Sequence, residues 1–174
     1  MSDEPPSEPV AFGRLQVPTA SEMGLLGERL AELLRPGDLV LLTGDLGAGK
    51  TTLAAGIGAG LGVRGRITSP TFVIAREHPP LGAGPSLVHV DAYRLGGLGE
   101  VDDLDLEASL DEAVTMVEWG QGLVEGLAED RLEVTIMRRA GAPSAVPAEP
   151  ADDPRTVVLQ AFGRRWAGVL LPAR

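Results

Sequence analysis

The feature that most constrains this chain is the glycine-rich stretch over residues 44–51, which matches G-x-x-x-x-G-K-[ST]. Glycines at these positions let successive backbone N–H groups surround a phosphate, while the lysine contacts phosphate oxygens and the threonine hydroxyl ligates Mg²⁺. The stretch follows an apolar run over 39–42, typical of a strand buried on both faces, and precedes a predicted helix over 51–61. A flexible glycine-rich turn would not need these neighbours. The pattern therefore predicts a P-loop nucleotide-binding protein.

The P-loop pattern assigns a continuous set of residues to nucleotide binding. Lys50 is the single lysine among 15 basic residues, and its compact ammonium fits between phosphate oxygens better than a planar guanidinium does. The predicted nucleotide-binding residues are Asp45, Leu46, Gly47, Ala48, Gly49, Lys50, Thr51 and Thr52.

Two acidic residues follow apolar runs and are the candidates for metal and water chemistry. Asp91 ends the run over 87–90, and Glu118 ends the run over 115–117. A P-loop enzyme needs carboxylates at the carboxyl edge of its sheet to hold Mg²⁺ and to orient water. We therefore predict Asp91 and Glu118, with Lys50, as catalytic residues. The acids at 100–107 follow no such run, and we expect them to be solvated.

Several residues near these motifs have two open interpretations. Thr71, in the Ser-Pro-Thr-Phe stretch at 69–72, is either a switch threonine near the γ-phosphate or part of a strand-entry turn. Trp119 either lines the nucleotide site or belongs to the core. His89 is either a satisfied inner histidine or a surface one, and Arg94 is expected in a structural ion pair.

The composition favours ATP as the nucleotide. Common GTPases recognise guanine through an Asn-Lys-x-Asp element, and this chain has no asparagine and no second lysine. The Asp-x-x-Gly switch is also missing, since Asp91 is followed by Ala-Tyr-Arg.

The arrangement of elements predicts a single α/β domain of the P-loop NTPase type, with a mixed, partly parallel sheet flanked by helices. Thr19 and Glu22 form a capping box at the start of an amphipathic helix. Strands over 72–75 and 87–90 are joined by the Pro/Gly-rich stretch over 79–85, which is either a hairpin connection or a flexible excursion. Strands over 156–161 and 166–171 are expected to form a closing antiparallel pair. The domain is predicted over 12–171, with a flexible insertion at 139–154 and tails at 1–11, disordered, and 172–174.

The net charge of −10 opposes close approach to phosphate backbones, so strong direct binding to nucleic acid is not expected. The chain has no cysteine and no apolar stretch long enough to span a membrane. The sequence start also lacks the features of a signal peptide. We expect a cytoplasmic protein that makes no use of a membrane.

The ordered motifs together resemble one family, the TsaE (formerly YjeE) ATPases of bacterial tRNA threonylcarbamoyladenosine biosynthesis. The motifs are the P-loop, the Ser-Pro-Thr-Phe stretch at 69–72, His-Val-Asp-Ala-Tyr-Arg at 89–94 and Val-Glu-Trp at 117–119. Two positions depart from the family pattern. Met23 stands where a threonine is frequent, and Gly120 stands where proline is common.

The resemblance implies an Mg²⁺-dependent ATPase that associates with the TsaD and TsaB proteins, and it implies a role for each matching residue. Lys50 would contact phosphates, Thr51 and Glu118 would ligate Mg²⁺, and Asp91 would be the water-orienting or Walker B acid. Two alternatives stay open: a small-molecule P-loop kinase, and a nucleotide-gated interaction module without meaningful turnover. The connection over 79–85 has no arginine of the kind that a kinase lid needs.

Overall fold

The computed structural model describes residues 8–68, 75–94, 110–138 and 153–173. They form one sheet with two α-helices and two short 3₁₀ turns, Ala92–Arg94 and Arg164–Trp166. The strands are β1 Ala11–Val17, β2 Leu39–Gly44, β3 Ala75–His78, β4 Ser86–Asp91, β5 Ala113–Glu118, β6 Arg131–Arg138 and β7 Arg155–Phe162, and the helices are α1 Ala20–Ala31 and α2 Lys50–Leu61.

The sheet has seven strands in the order β1-β7-β6-β2-β5-β4-β3. Its four central strands, β6, β2, β5 and β4, run parallel to one another. Outside them, β7 pairs antiparallel with β6, β1 pairs antiparallel with β7, and β3 pairs antiparallel with β4. The mixed, partly parallel sheet expected from the sequence is confirmed. Because β2, β4 and β5 are parallel, their carboxyl ends lie along one edge of the sheet.

The two faces of the sheet are covered differently. The larger core joins one face to α1 and α2, through residues such as Leu26, Leu30, Leu53 and Ile57. The smaller core on the opposite face joins the sheet to the turns that follow β5, where Val124 is buried. Both described helices therefore pack on one face of the sheet.

Helix α1 begins as predicted. The Thr19 hydroxyl oxygen accepts a hydrogen bond from the Glu22 backbone N–H at 3.2 Å, and the Thr19 hydroxyl donates to the Glu22 carboxylate at 2.9 Å. The apolar face of α1 then packs on α2. The capping box thus sets the start of the helix that packs beside the P-loop helix.

Glycines allow the backbones of α1 and α2 to approach closely. A Cβ at Gly27 would lie 2.5 Å from the Leu53 carbonyl oxygen, and a Cβ at Gly56 would overlap the Gly24 carbonyl oxygen. The glycines inside α2 cost about 1 kcal/mol each in helix propensity relative to alanine. The close packing of α1 against α2, which these glycines permit, offsets that cost.

The sequence-based assignment was wrong at one edge of the sheet. Residues 166–171 do not form a strand: Trp166 ends a 3₁₀ turn and is fully buried. Strand β7 pairs instead with β6 and with β1, which we had not predicted. Strand β1 begins at Ala11, the last residue assigned to the N-terminal tail.

The 3₁₀ turn after β7 is anchored by a buried ion pair. The Arg165 guanidinium donates to the Asp38 carboxylate at 2.9 Å, and Asp38 is only 2% exposed. Burial raises the pKa of Asp38, against the lowering effects of the Arg35 backbone N–H and of Arg165. This ion pair fixes the turn next to Trp166, which packs into the larger core.

The hairpin of β3 and β4 has its antiparallel pairing, from Ala75 opposite Val90 to His78 opposite Leu87. Residues 72–74 of the predicted first strand lie outside the described residues. No helix in the described part of the chain is long and apolar enough to cross a membrane.

Candidate functional site

The loop between β2 and α2 has the backbone conformation of a phosphate-binding loop. Gly47 and Gly49 have φ angles of 76° and 115°, which side-chain-bearing residues rarely adopt, and Gly49 caps helix α2. The Ala48 N–H donates to the Asp45 carbonyl oxygen at 3.0 Å, which closes a turn within the loop. Leu46 is 87% exposed at the loop's tip. The glycines are therefore required by the shape of the loop.

Lys50 is buried at the start of α2, with its ammonium directed back over the loop. Its Nζ donates to the Gly44 carbonyl oxygen at 2.5 Å and to the Asp45 carbonyl oxygen at 2.9 Å. Burial lowers the pKa of Lys50, while the negative charges of Glu118, Asp45 and Asp91, in that order, raise it. The charges around Lys50 thus include both predicted acids.

The two predicted carboxylates are brought side by side. In the parallel pairing of β4 with β5, Asp91 lies opposite Glu118, and Glu118 also lies opposite Leu42 of the P-loop strand. Glu118 is 2% exposed, whereas Asp91 is half-buried and its Oδ1 accepts a hydrogen bond from the Tyr93 N–H at 3.0 Å. Both acids therefore reach the sheet edge that carries the P-loop.

His89 is the inner histidine of the two alternatives considered. It is fully buried, and its Nε2 lies 2.9 Å from Oε1 of Glu118. Nδ1 has no hydrogen-bond partner among the described residues. His89 thus orients the Glu118 carboxylate from within the core.

Trp119 lies at the site and not in the core. The Lys50 Nζ is 4.1 Å from its ring centroid, and the Tyr93 ring meets it edge-on with centroids 5.3 Å apart. Its φ of 61° makes it the one non-glycine residue with positive φ in the described segments. Trp119 also borders a cavity of about 650 Å³ that adjoins the first residues of the P-loop, Gly44 and Asp45.

Three side chains at this edge of the sheet carry oxygen atoms of the kind that Mg²⁺ prefers. The hydroxyl of exposed Thr51 and the carboxylates of Asp91 and Glu118 are hard oxygen ligands. Among the described residues, no group of three or more His, Cys, Asp or Glu is arranged to hold a metal. Mg²⁺ commonly takes its remaining ligands from water and substrate phosphates, so this sparse set suits it.

Arg155, at the start of β7, is a site residue that sequence reasoning missed. Its Nε donates to the Ala48 carbonyl oxygen at 3.0 Å, and its Nη2 donates to the Gly47 carbonyl oxygen at 3.4 Å. It follows the segment at 139–154 that we assigned to a flexible insertion, and no motif marks it. Only the pairing of β7 with β6 and β1 brings it to the loop.

A cavity of about 170 Å³ lies beside the loop on the α1 side. It is bordered by Thr19 and Met23 of the α1 region, by Thr52 in the first turn of α2, and by Arg155. A Cβ at Gly49 would lie 3.5 Å from the Met23 methyl carbon. Position 23, where the chain departs from the family pattern, therefore borders the loop.

Three of the predicted groups lie outside the part of the chain that the structure describes. Thr71 and the acids at 100–107 lie outside the described residues, as do residues 139–152 of the predicted insertion. The structure does bring Lys50, Asp91, Glu118 and Trp119 together around the P-loop.

The sequence matches one family model over most of its length. The model described as "Threonylcarbamoyl adenosine biosynthesis protein TsaE" matches residues 17–144. A Streptomyces coelicolor protein described as "tRNA threonylcarbamoyladenosine biosynthesis protein TsaE" is 62% identical over 143 residues, covering 82% of this chain and 92% of the relative. A Bacillus subtilis protein with the same description is 37% identical over 146 residues, covering 83% of each chain.

A solved structure shares the fold. The crystal structure of Bacillus subtilis YdiB superposes with a TM-score of 0.66 at 29% sequence identity, covering 89% of this chain and 88% of that one. The likeness extends across the sheet and is not confined to the P-loop.

Proposed function

Because this chain belongs to the TsaE family of tRNA threonylcarbamoyladenosine biosynthesis proteins, we propose that it is an Mg²⁺-dependent ATPase of that modification. It would hydrolyse ATP to ADP and phosphate and act with the TsaD and TsaB proteins in the cytoplasm. The observation that carries the proposal is the arrangement around Lys50. The buried Lys50 ammonium lies near two carboxylates, Glu118 and Asp91, which end the adjacent strands β5 and β4. The negative charges of both carboxylates act on the ammonium.

Lys50 is the residue that we assign to the phosphates of ATP. Its Nζ is held by two loop carbonyls and by the face of Trp119, so it is poised at the mouth of the loop. When the substrate binds, the ammonium exchanges carbonyl oxygens for phosphate oxygens, which carry more negative charge and form stronger hydrogen bonds. The backbone N–H groups over 47–52 supply further donors at the positive end of α2.

The two acids and Thr51 are the groups that we assign to Mg²⁺ and to the attacking water. When bound, Mg²⁺ would neutralise charge that develops on the phosphate oxygens. Thr51 and Glu118 would hold it, and His89 keeps the Glu118 carboxylate in one orientation. Asp91, half-buried and nearer to solvent, is the better placed of the two acids to orient water.

The partners follow from the family and from the charge of the chain. A protein with a net charge of −10 is poorly suited to hold tRNA by itself. TsaD and TsaB would hold the tRNA, and nucleotide turnover here would rearrange that assembly between rounds of modification.

A reconstituted assay tests this proposal. We expect ATP hydrolysis to require Mg²⁺, and pull-down of TsaB and TsaD by this protein to differ with and without ATP. Multiple rounds of tRNA modification should fall sharply when the protein is omitted. Undiminished multiple turnover in its absence would overturn the assignment.

The same assays separate the two alternatives. A small-molecule kinase would transfer phosphate to an acceptor, so its product would be a phosphorylated metabolite and not free phosphate. A nucleotide-gated interaction module would bind partners in an ATP-dependent way with no phosphate release above background. The paired acids beside Lys50 favour hydrolysis over both.

A further inference from the structure

Arg155 engages all three nitrogens of its guanidinium, two of them at the P-loop and the third at Asp153. Nε and Nη2 donate to the Ala48 and Gly47 carbonyl oxygens, at 3.0 Å and 3.4 Å. Nη1 donates to the Asp153 carbonyl oxygen at 2.6 Å and lies 2.5 Å from its carboxylate. One side chain therefore joins β7 to two consecutive peptide units of the loop.

The bond to Ala48 bears directly on phosphate binding because of peptide geometry. In a planar trans peptide the C=O and the next N–H point in opposite directions. Arg155 draws the Ala48 carbonyl towards β7, so the Gly49 N–H is turned to the other side of the loop. In the G-x-x-x-x-G-K pattern, the amides of Gly49 and Lys50 are among those that surround the phosphate.

The loop needs such a restraint because of its composition. Gly47 and Gly49 both have positive φ, and glycine has more backbone freedom to lose than any other residue. Unrestrained, the loop would sample many conformations, and each binding event would have to select one of them. A bidentate guanidinium reduces that freedom with fixed geometry, which a lysine ammonium does not provide.

Asp153 holds Arg155 in this position. It also receives Arg138, at the end of β6, with Nη2 and Oδ2 3.1 Å apart. The hydrogen bond from Arg155 is the main cause that lowers the pKa of Asp153, so its carboxylate stays ionised at neutral pH. Arg138 and Arg155 thus share the Asp153 carboxylate.

We propose that Arg155 is a positioning residue for the phosphate-binding loop, which it holds in its binding conformation by fastening the Gly47 and Ala48 carbonyls to β7. The inference rests on the proposed nucleotide-binding function. It assigns Arg155 no contact with the nucleotide.

The test compares Arg155→Met and Arg155→Lys with Arg14→Met as the control, since Arg14 is an exposed arginine on β1, the strand that pairs with β7. Affinity for Mg²⁺-ADP is measured by calorimetry, and amide hydrogen exchange over 44–51 is measured without nucleotide. We expect Arg155→Met to bind ADP about tenfold more weakly, as for loss of one charged hydrogen bond, and to exchange faster in the loop. Arg14→Met should bind within about twofold of wild type.

Arg155→Lys distinguishes positioning from simple attraction between charges, and it also serves if Arg155→Met does not fold. Positioning predicts that lysine, which lacks the planar fork, leaves ADP binding weak and loop exchange fast. Wild-type affinity and exchange in Arg155→Lys would overturn the proposal, as would unchanged exchange in Arg155→Met. If the wild-type protein does not bind ADP, the proposed function fails, and the loop's exchange rates still decide the role of Arg155.

Discussion

Lys50 shows at the scale of one residue how a binding group can work against the stability of the fold. Its ammonium is taken out of water and held by carbonyl oxygens and an indole ring. Burial lowers its pKa, so the folded chain favours the charged form less than the unfolded chain does. A strained or desolvated group of this kind is typical of a site kept for binding.

The first prediction is that Lys50→Met abolishes ATP binding and turnover but keeps the fold. Removing the buried charge offsets the lost contacts, so the free energy of unfolding at pH 7 should stay within about 1 kcal/mol of wild type. Calorimetry and chemical denaturation measure the two effects. Wild-type ATPase activity in folded Lys50→Met would refute the site.

A pH titration of stability gives a second prediction, whose sign follows from the lowered pKa of Lys50. On raising the pH, the folded protein loses the Lys50 proton before the unfolded chain does, so the unfolded chain binds more protons in that interval. Wild type should therefore gain stability relative to Lys50→Met between the folded pKa and about 10.5. If the free energies of unfolding of wild type and Lys50→Met change equally with pH over this range, the lowered pKa of Lys50 is contradicted.

The third prediction concerns the acids. Glu118→Gln and Asp91→Asn should each reduce Mg²⁺-dependent hydrolysis by about a hundredfold or more, because they remove a metal ligand or a water-orienting group. Glu112→Gln is the matched control, since Glu112 is an exposed acid just before the start of β5, the strand that ends in Glu118. Steady-state phosphate release is the measurement. A larger loss in Glu112→Gln, or in variants of Asp102, Asp103 and Asp105, would mean that the wrong carboxylates were chosen.

At the scale of elements, the helix pair α1 and α2 depends on glycine at defined positions. The two helices meet with Gly56 against the Gly24 carbonyl, where no side chain fits. Gly24 itself faces open space, with nothing within 4 Å of an added Cβ. The same interface therefore contains a glycine that packing requires and one that it does not.

The fourth prediction uses this difference. Gly56→Ala should lower the free energy of unfolding by about 1–3 kcal/mol, because the cost of overpacking exceeds the gain in helix propensity. Gly24→Ala should raise it by about 0.5–1 kcal/mol. Urea denaturation monitored by circular dichroism measures both. Equal effects of the two substitutions would show that the backbones are not in close contact.

Local signals were enough to predict some elements, and tertiary pairing decided the others. The capping box at Thr19 and the apolar runs of β2 and β5 are visible in sequence, because they depend on nearby residues and full burial. Strand β1 is an edge strand with alternating exposure, and its partner lies far along the chain. In the segment 166–171, Trp166 and Leu171 are buried in the core and not on a strand, and β1 occupies the edge of β7 that a returning strand would need.

The residues of the candidate site likewise fall into those that local sequence predicts and those that depend on tertiary pairing. Lys50, Asp91 and Glu118 follow from a motif and from the parallel sheet that it implies, so the structure finds them together. Arg155 has no such signal, since its role depends on the register of β7 with two other strands. The contact of His89 with Glu118 likewise needed the pairing of β4 with β5.

At the scale of the whole molecule, the charge of −10 dominates long-range behaviour. Because tRNA affinity arises largely from basic groups that release counterions, the fifth prediction is weak binding of tRNA by the isolated protein at about 150 mM salt. A fluorescence titration measures it, with the TsaB–TsaD assembly as the positive comparison. Tight binding by the isolated chain would contradict the proposed division of labour.

The pairing of β1 with β7 has a consequence for synthesis on the ribosome. Gln16 and Thr156 hydrogen-bond across a separation of 140 residues, so β1 has no sheet edge to join until β7 has been translated. Until then the nascent chain contains the P-loop but neither β7 nor its first residue, Arg155. The contacts of Arg155 with the loop over 44–51 therefore form late, and a chain interrupted before residue 155 lacks them.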